Sequence, residues 1–313
     1  MHHMKAASMT QCGREITPQE LEDIQETVKL FWRLSRAELA KTICENLEWF
    51  TASGGYKVDA CMKLLEILEK KGLVRIPEKR IDLNGKKSLS LISLTARTEP
   101  QPDIVGALRD VAPVELEVVS ERQETELWKE YMFRYHYLKY RKPFGCHLRY
   151  FIKSEQGILG CVFFAGAAKS MKRRDRWIGW TENQRLKNLG WVINNTRFLI
   201  FPWVRIRYLA SHVLGQIARR VGRDWQDRWG YEPFLMETFV DPQRYEGSCY
   251  KASNWQYLGM TTGEGLVRVG KSYATTPKMI FLKPLVRNFR ELLCSELLAE
   301  KVKDDRAQAY EKR

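Results

Sequence analysis

Apolar positions follow two different periods along this chain. At first the spacing is helical. Leu21, Ile24, Val28 and Phe31 recur every three or four residues behind "TPQE" at 17–20, where Thr17 is an N-cap, Pro18 takes the first helical position and Glu20 supplies the reciprocal carboxylate. A second capping box, Ser35 to Glu38, opens a helix with Leu39, Ile43 and Leu47 on one face. A third helix is predicted from about Lys57 to Lys71, with Val58, Cys61, Leu64, Leu65 and Leu68 facing inward and Gly72 as its stop. The period then shortens to two. "LVRIPEKRIDLNGKKSLSLISL" (73–94) reads as two strands joined by Asn84-Gly85, a pair suited to a tight hairpin turn.

Three helices and a basic hairpin are the order of a winged helix-turn-helix domain, here over 1–94. In that arrangement the third helix enters a DNA major groove, while Lys79, Arg80, Lys86 and Lys87 of the wing meet phosphates. The acids Asp59, Glu66 and Glu69 on the third helix suit the other use of such a domain, as a protein-interaction or dimerisation unit.

"TARTEPQPDIVGALRDVAP" (95–113) has three prolines and little periodicity, and is expected to be a linker. From 114 to 290 strands and helices are mixed. "VELEVVS" is a strand, and Ser120 is expected to cap a helix carrying Leu127, Tyr131 and Tyr135. "HLRYFIKSEQGILGCVFFAGAA" is a hairpin about Gln156-Gly157, and "NNTRFLIFP" is a further strand. "YLASHVLGQIARRVGRDWQDRWG" is a long amphipathic helix. The strand "EPFLMETFV", the helix "EGSCYKASNW" and the strands "YLGMTTGE" and "KMIFLKPL" close the set. Residues 291–313 read as a charged helix or tail.

That order resembles the GCN5-related acyltransferase fold, so the fold class expected is α+β: a winged-helix-like domain followed by an acyltransferase-like one. The resemblance implies coenzyme A, its pyrophosphate cradled by backbone N–H groups before the long helix. The corresponding "WVRIRYLASHVLG" (203–215) offers Arg205 and Arg207 but no glycine in the loop proper, and close backbone approach to a phosphate favours glycine. The cofactor therefore stays unassigned.

Charge changes the picture next. The formal net charge is +14, which points to nucleic acid, DNA first, as a partner; a generally basic soluble enzyme is the alternative. Residues 134–229 hold 20 Lys and Arg against 5 Asp and Glu, so most of the excess lies in the second part. The seven cysteines are scattered without a CxxC pair, and no Cys/His spacing suits a structural zinc site, so no metal is assigned there. No apolar run suits a bilayer and the first residues lack the core of a signal peptide, so a cytoplasmic protein is expected, without a membrane partner.

Candidate chemistry collects in the same region. His136 stands at a helix end and suits a general base or a cap. "MKRRDRWIGW" interleaves Arg173, Arg174 and Trp177 with Asp175, a pattern that grips phosphates and stacks on bases; Arg141 adds a further cation. Asn195 and Arg197 open a strand and are candidate ligand-binding residues, as are Arg205, Arg207 and Asn254. Glu237 and Asp241 fall on one side of a strand. With Asp175 they are candidates for a metal-dependent nuclease or transposase-like site. In the acyltransferase resemblance, Glu237 lines the acceptor site and Tyr250 takes the position of a tyrosine acid. Cys249 reads as a buried structural thiol.

Four long blocks carry a more specific resemblance: "YHYLKYRKPFGCHLRYFI" (135–152), "RRDRWIGWTENQRLKNL" (173–189), "NNTRFLIFPWVRIRYLASHVL" (194–214) and "ETFVDPQRYEGSCYKASNWQYLGMTTGEG" (237–265). In this order they resemble the DruA family, named for a component of the Druantia anti-phage defence system. The resemblance implies a DNA-associated role in defence or mobile-element biology, with other defence-system proteins as partners. Three readings follow: a nucleic-acid-modifying transferase, the metal-dependent nuclease, and a non-catalytic DNA-binding subunit.

Overall fold

The computed structural model describes residues 9–11, 13–32, 34–77, 92–141, 146–263, 276–296 and 298. The chain forms two compact units. One comprises 1–89, 181–188 and 296–313; the other comprises 90–180 and 189–295.

The first unit opens with a short hairpin that the periodicity did not reveal, β1 (Met9–Gln11) paired antiparallel with β2 (Arg14–Ile16). Helices α1 (Pro18–Leu30), α2 (Arg36–Asn46) and α3 (Val58–Lys70) follow. Both predicted capping boxes are formed, Thr17 with Glu20 and Ser35 with Glu38. Gly72 takes the left-handed conformation just past α3, at φ 69°, as a helix stop requires. Ile24, Val28, Leu39, Ile43, Cys61, Leu64 and Leu68 make the core. Of the expected wing over 73–94, residues 78–91, with Lys79, Arg80, Lys86 and Lys87, lie outside the described residues, and 73–77 and 92–94 form no strand.

The second unit is a mixed α/β layer structure. Its elements are β3 (Ile104–Gly106), β4 (Glu115–Val118), α4 (Arg122–Tyr135), β5 (His147–Ser154), β6 (Gly157–Gly166) and α5 (Lys172–Ile178). Helix α6 (Glu182–Asn188) belongs to the first unit. The second unit resumes with β7 (Val192–Ile200), β8 (Val204–Ile206), α7 (Leu209–Trp229), β9 (Leu235–Val240), α8 (Ser248–Ala252), β10 (Gln256–Met260), β11 (Met279–Pro284) and α9 (Phe289–Leu293). Seven strands form one sheet in the order β10-β11-β9-β7-β6-β5-β4, antiparallel except where β7 meets β9.

Alternation along the strands decides which helix covers which face. Phe151 and Phe163 lie under α4, with Tyr131 6.5 Å from the first ring and Trp128 5.1 Å from the second. Tyr150 points the other way, and its hydroxyl donates to Asp224 of α7 at 2.8 Å. Two expectations are corrected here. Helix α4 is capped at Glu121, with no side-chain cap bond, rather than by Ser120. Residues 95–113 are fastened down rather than loose. The buried Glu130 accepts from the Thr98 hydroxyl at 2.6 Å, Tyr135 donates to the Thr98 carbonyl at 2.6 Å, and β3 pairs in parallel with β8. The prolines there mark an extended path, not a tether.

Candidate functional site where two strands part

Strands β7 and β9 pair in parallel only from Val192–Asn194 to Leu235–Glu237. Beyond that neck both strands continue without pairing to each other. A bulge sets the departure: Phe164 faces Asn195 and Phe163 faces Arg197, which leaves Thr196 as the extra residue. The Asn195 amide holds the bulge through the carbonyls of Phe163 (3.2 Å) and Arg197 (3.0 Å), and the Thr238 hydroxyl donates to the Asn195 carbonyl at 2.9 Å. A gap thus opens toward the carboxyl ends of two parallel strands.

Glu237 sits at the neck and is fully buried. Its carboxylate accepts from Arg174 Nη1 (2.8 Å), the Ala168 N–H (2.6 Å) and Asn194 (3.3 Å). Arg174 is equally buried and also reaches the Ala168 carbonyl (2.8 Å) and Asp175 (2.9 Å). Trp180 donates to Asp175 at 3.1 Å. Burial pushes the Glu237 carboxyl up, against the opposing pull of Arg174. The expectation of Arg174 as a phosphate ligand is therefore corrected: its guanidinium is consumed inside the protein.

Asp241 stands four residues further on, roughly 13 Å along an extended chain, and meets a different cation. Lys278 Nζ lies 2.5 Å from its carboxylate and holds it below the ordinary range. The three acids of the nuclease reading do not gather. Asp175 and Glu237 share an arginine, Asp241 is elsewhere, and among the described residues no cluster of His, Cys, Asp and Glu suits a metal ion. Asp241 instead ties a turn: its side chain accepts the Gln243 N–H (3.1 Å), and its carbonyl accepts those of Arg244 (3.1 Å) and Tyr245 (2.9 Å).

His136 ends α4, buried, with its Nδ1 accepting the Leu138 N–H at 3.2 Å. Burial and the charge of Arg197 push its pKa down to about 3, so the ring is neutral near pH 7 and its proton resides on Nε2. Tyr137 stacks on it at 4.9 Å, while Arg197 donates to the Lys139 carbonyl at 3.1 Å. On the opposite face of the sheet Tyr250 is buried, its hydroxyl 2.8 Å from Asn195 Oδ1, and burial pushes its pKa far up. Cys249 is a free, half-buried thiol raised by burial to about 11.

The remaining candidates are dispersed. Arg205 pairs with Asp103, and Arg207 covers the Tyr208 ring at 4.8 Å. Asn254, left-handed at φ 58°, lines a groove of about 600 Å³ between α7 and α8 with Ser211, His212, Arg219 and Lys283. Arg141 and Arg173 are exposed. Trp177 is half-buried, stacked at 5.0 Å on Phe289 with Arg290 above it at 4.4 Å. Arg244 and Tyr245 were not singled out from the sequence because "DPQRYEG" reads as a turn. An Arg-Tyr pair directly after a central strand of a basic chain was the available signal.

The family model described as Druantia protein DruA matches residues 68–276. The chain belongs to the DruA family. A search of curated proteins gave no match. Solved structures similar to this DruA-family chain include acetyltransferases and an N-acyl amino acid synthase. The aminoglycoside acetyltransferase AAC(6')-Ib, in complex with coenzyme A and kanamycin, is 14% identical, with 57% of this chain and 97% of that one covered and a TM-score of 0.34. A Bacillus subtilis acetyltransferase in complex with CoA is 7% identical, covering 55% and 99%, at 0.30. FeeM, an N-acyl amino acid synthase from uncultured soil microbes, is 8% identical, covering 59% and 98%, at 0.34.

The loop expected from the sequence to cradle a coenzyme A pyrophosphate, at the start of 203–215, does not fit one here. It contains no glycine before α7, and β8 within it is zipped to β3. The Val204 N–H already donates to Phe201 (2.9 Å), and that of Arg207 is directed to Gly106 (3.5 Å). Tyr208 occupies the left-handed position before α7 at φ 65°. Two backbone donors of the expected cradle, those of Val204 and Arg207, are thus spent on the protein itself.

Two measurements test this site. Removing one partner of the buried pair, Glu237→Ala, is expected to cost about 3–5 kcal/mol in urea unfolding, because it strands the Arg174 charge; Arg174→Met combined with Glu237→Leu recovers much of the loss. For His136 the folded pKa lies below the unfolded value near 6.5. Between pH 6.5 and about 3 the unfolded chain therefore binds the extra proton, and stability falls as pH falls, by at most ~1.4 kcal/mol per unit. Urea midpoints at pH 7 and 5 should separate less for His136→Gln than for the natural protein.

Proposed function

We propose that this DruA-family protein binds DNA through the basic surface of its second unit and acts in anti-phage defence alongside other defence proteins. One observation carries the reading. Helix α5 turns Arg174 inward but leaves Lys172, Arg173 and Arg176 exposed, and these three make no ion pair among the described residues. Arg141, Arg219 and Arg223 add exposed cations on the same unit. Unpaired cations on an ordered surface release condensed counterions when they meet phosphates, which gives affinity without sequence preference.

The reading as a transferase loses support with the closed loop at β8, and the reading as a metal nuclease loses its ligand set. The candidate catalytic groups Glu237, Asp241, Asp175 and Tyr250 are each held by an internal partner. Binding is what the geometry supports best. The winged-helix reading of the first unit adds a second DNA contact to this proposal.

Fluorescence anisotropy with a labelled oligonucleotide tests it. Affinity is expected to fall linearly with salt on a double-logarithmic plot, and K172E/R173E/R176E to weaken binding at least tenfold and flatten the slope. Binding that is absent, or that is indifferent to both salt and charge reversal, contradicts the proposal.

A further inference from the structure

Where the loop after α4 meets the turn after β9, two tyrosines and an arginine stand together at the mouth of the gap. Tyr137 rests with one face on the His136 ring (4.9 Å, 25° between planes). The Arg244 guanidinium lies 5.0 Å over Tyr137, and the Tyr245 ring is 5.9 Å from Tyr137 at an angle of 54°. Tyr245 is 54% exposed, and Arg244 is exposed without an ion pair among the described residues. The turn bearing them is preset by the three N–H bonds to Asp241, which Lys278 in turn holds ionised.

A rigid turn that presents an aromatic ring and a guanidinium plane to solvent, beside a second ring half sunk in the protein, offers flat π surfaces rather than a hydrophobic pocket. Flat π surfaces with a delocalised cation select flat, electron-rich ligands. The flanking Lys139 and Arg141 are exposed and suit the phosphates on either side of such a ligand. In a duplex the faces of the bases are covered by their neighbours and only edges are open, so the outer faces of Arg244, layered on Tyr137, and of Tyr245 reach a base only when that base has left the stack.

We propose that Tyr137, Arg244 and Tyr245 clasp an unstacked base of single-stranded DNA. The proposal rests on the DNA-binding reading and names the form of DNA that this part of the surface prefers. Asp241 is then a positioning residue: it holds the turn and touches no ligand.

Anisotropy with matched single-stranded and duplex oligonucleotides, on the full chain, separates the two claims. Tyr245→Ala is expected to weaken single-strand binding about tenfold, within the range for loss of one base–aromatic stack, with duplex binding unchanged. Tyr245→Phe keeps the ring and should bind as the natural protein does. Irradiating a bound single strand carrying 5-iodouracil should link it to Tyr137 or Tyr245, as read by mass spectrometry. Equal losses on both DNA forms, no loss in Tyr245→Ala, or crosslinks confined to other residues would each overturn the clasp and leave DNA binding standing. Failure of the natural protein to bind either form removes both. Because Tyr245 is exposed, its variants test contact with DNA rather than folding.

Discussion

The buried ion pair between Arg174 and Glu237 is the contact on which the second unit's site depends. It joins α5 and the loop after β6 to β9, at the point where β9 makes its last parallel pair with β7. Two charges taken fully out of water call for partners at their remaining polar edges. Here the Ala168 N–H and carbonyl, Asn194 and Asp175 supply them, save at Arg174 Nη2, which contacts Asp175 at 2.8 Å without a hydrogen bond. Burial disfavours the Glu237 charge, yet the pair fixes where the two strands separate. It also explains why α5 is polarised, with one arginine swallowed and its neighbours left at the surface.

From that neck the rest of the site follows by geometry. The bulge at Thr196 carries Arg197 to the α4 face, while Phe198 and Asn195 meet Tyr250 on the α8 face, with Phe198 6.4 Å from the tyrosine ring. The gap is closed on one face by a buried tyrosine. On the other it is bordered by a neutral histidine, an ordered turn and the cations Arg197 and Arg244. On the proposed reading such a surface serves binding rather than chemistry, since its acids are already held by their own neighbours.

Much of the fold was legible in the sequence because it rests on local signals. Capping boxes at Thr17 and Ser35 and the glycine after α3 need only neighbours a few residues away; the hairpin was equally local, although its turn, expected at Gln156-Gly157, falls at Glu155-Gln156. What stayed hidden depends on distant partners. The pairing of β3 with β8 joins segments about a hundred residues apart, and nothing in "DIVGALRD" announces it. The site was legible as a list and not as an arrangement. Glu237 and Asp241 share a strand face, yet their cations come from α5 and from the residue before β11, so spacing alone wrongly suggested that they converge. Arg174 could not be told from Arg173 by composition; only the helix phase against β9 separates a structural arginine from an exposed one.

On the proposed reading the second unit meets nucleic acid through α5, the loop after α4 and the turn after β9. Hydrogen–deuterium exchange of the full chain with and without a saturating single-stranded oligonucleotide addresses it most directly. Protection is expected in peptides covering 136–141, 172–177 and 241–246, with the already buried strands β5 and β6 unchanged. Protection confined to residues 9–77, with those three segments exchanging as in the free protein, would contradict it.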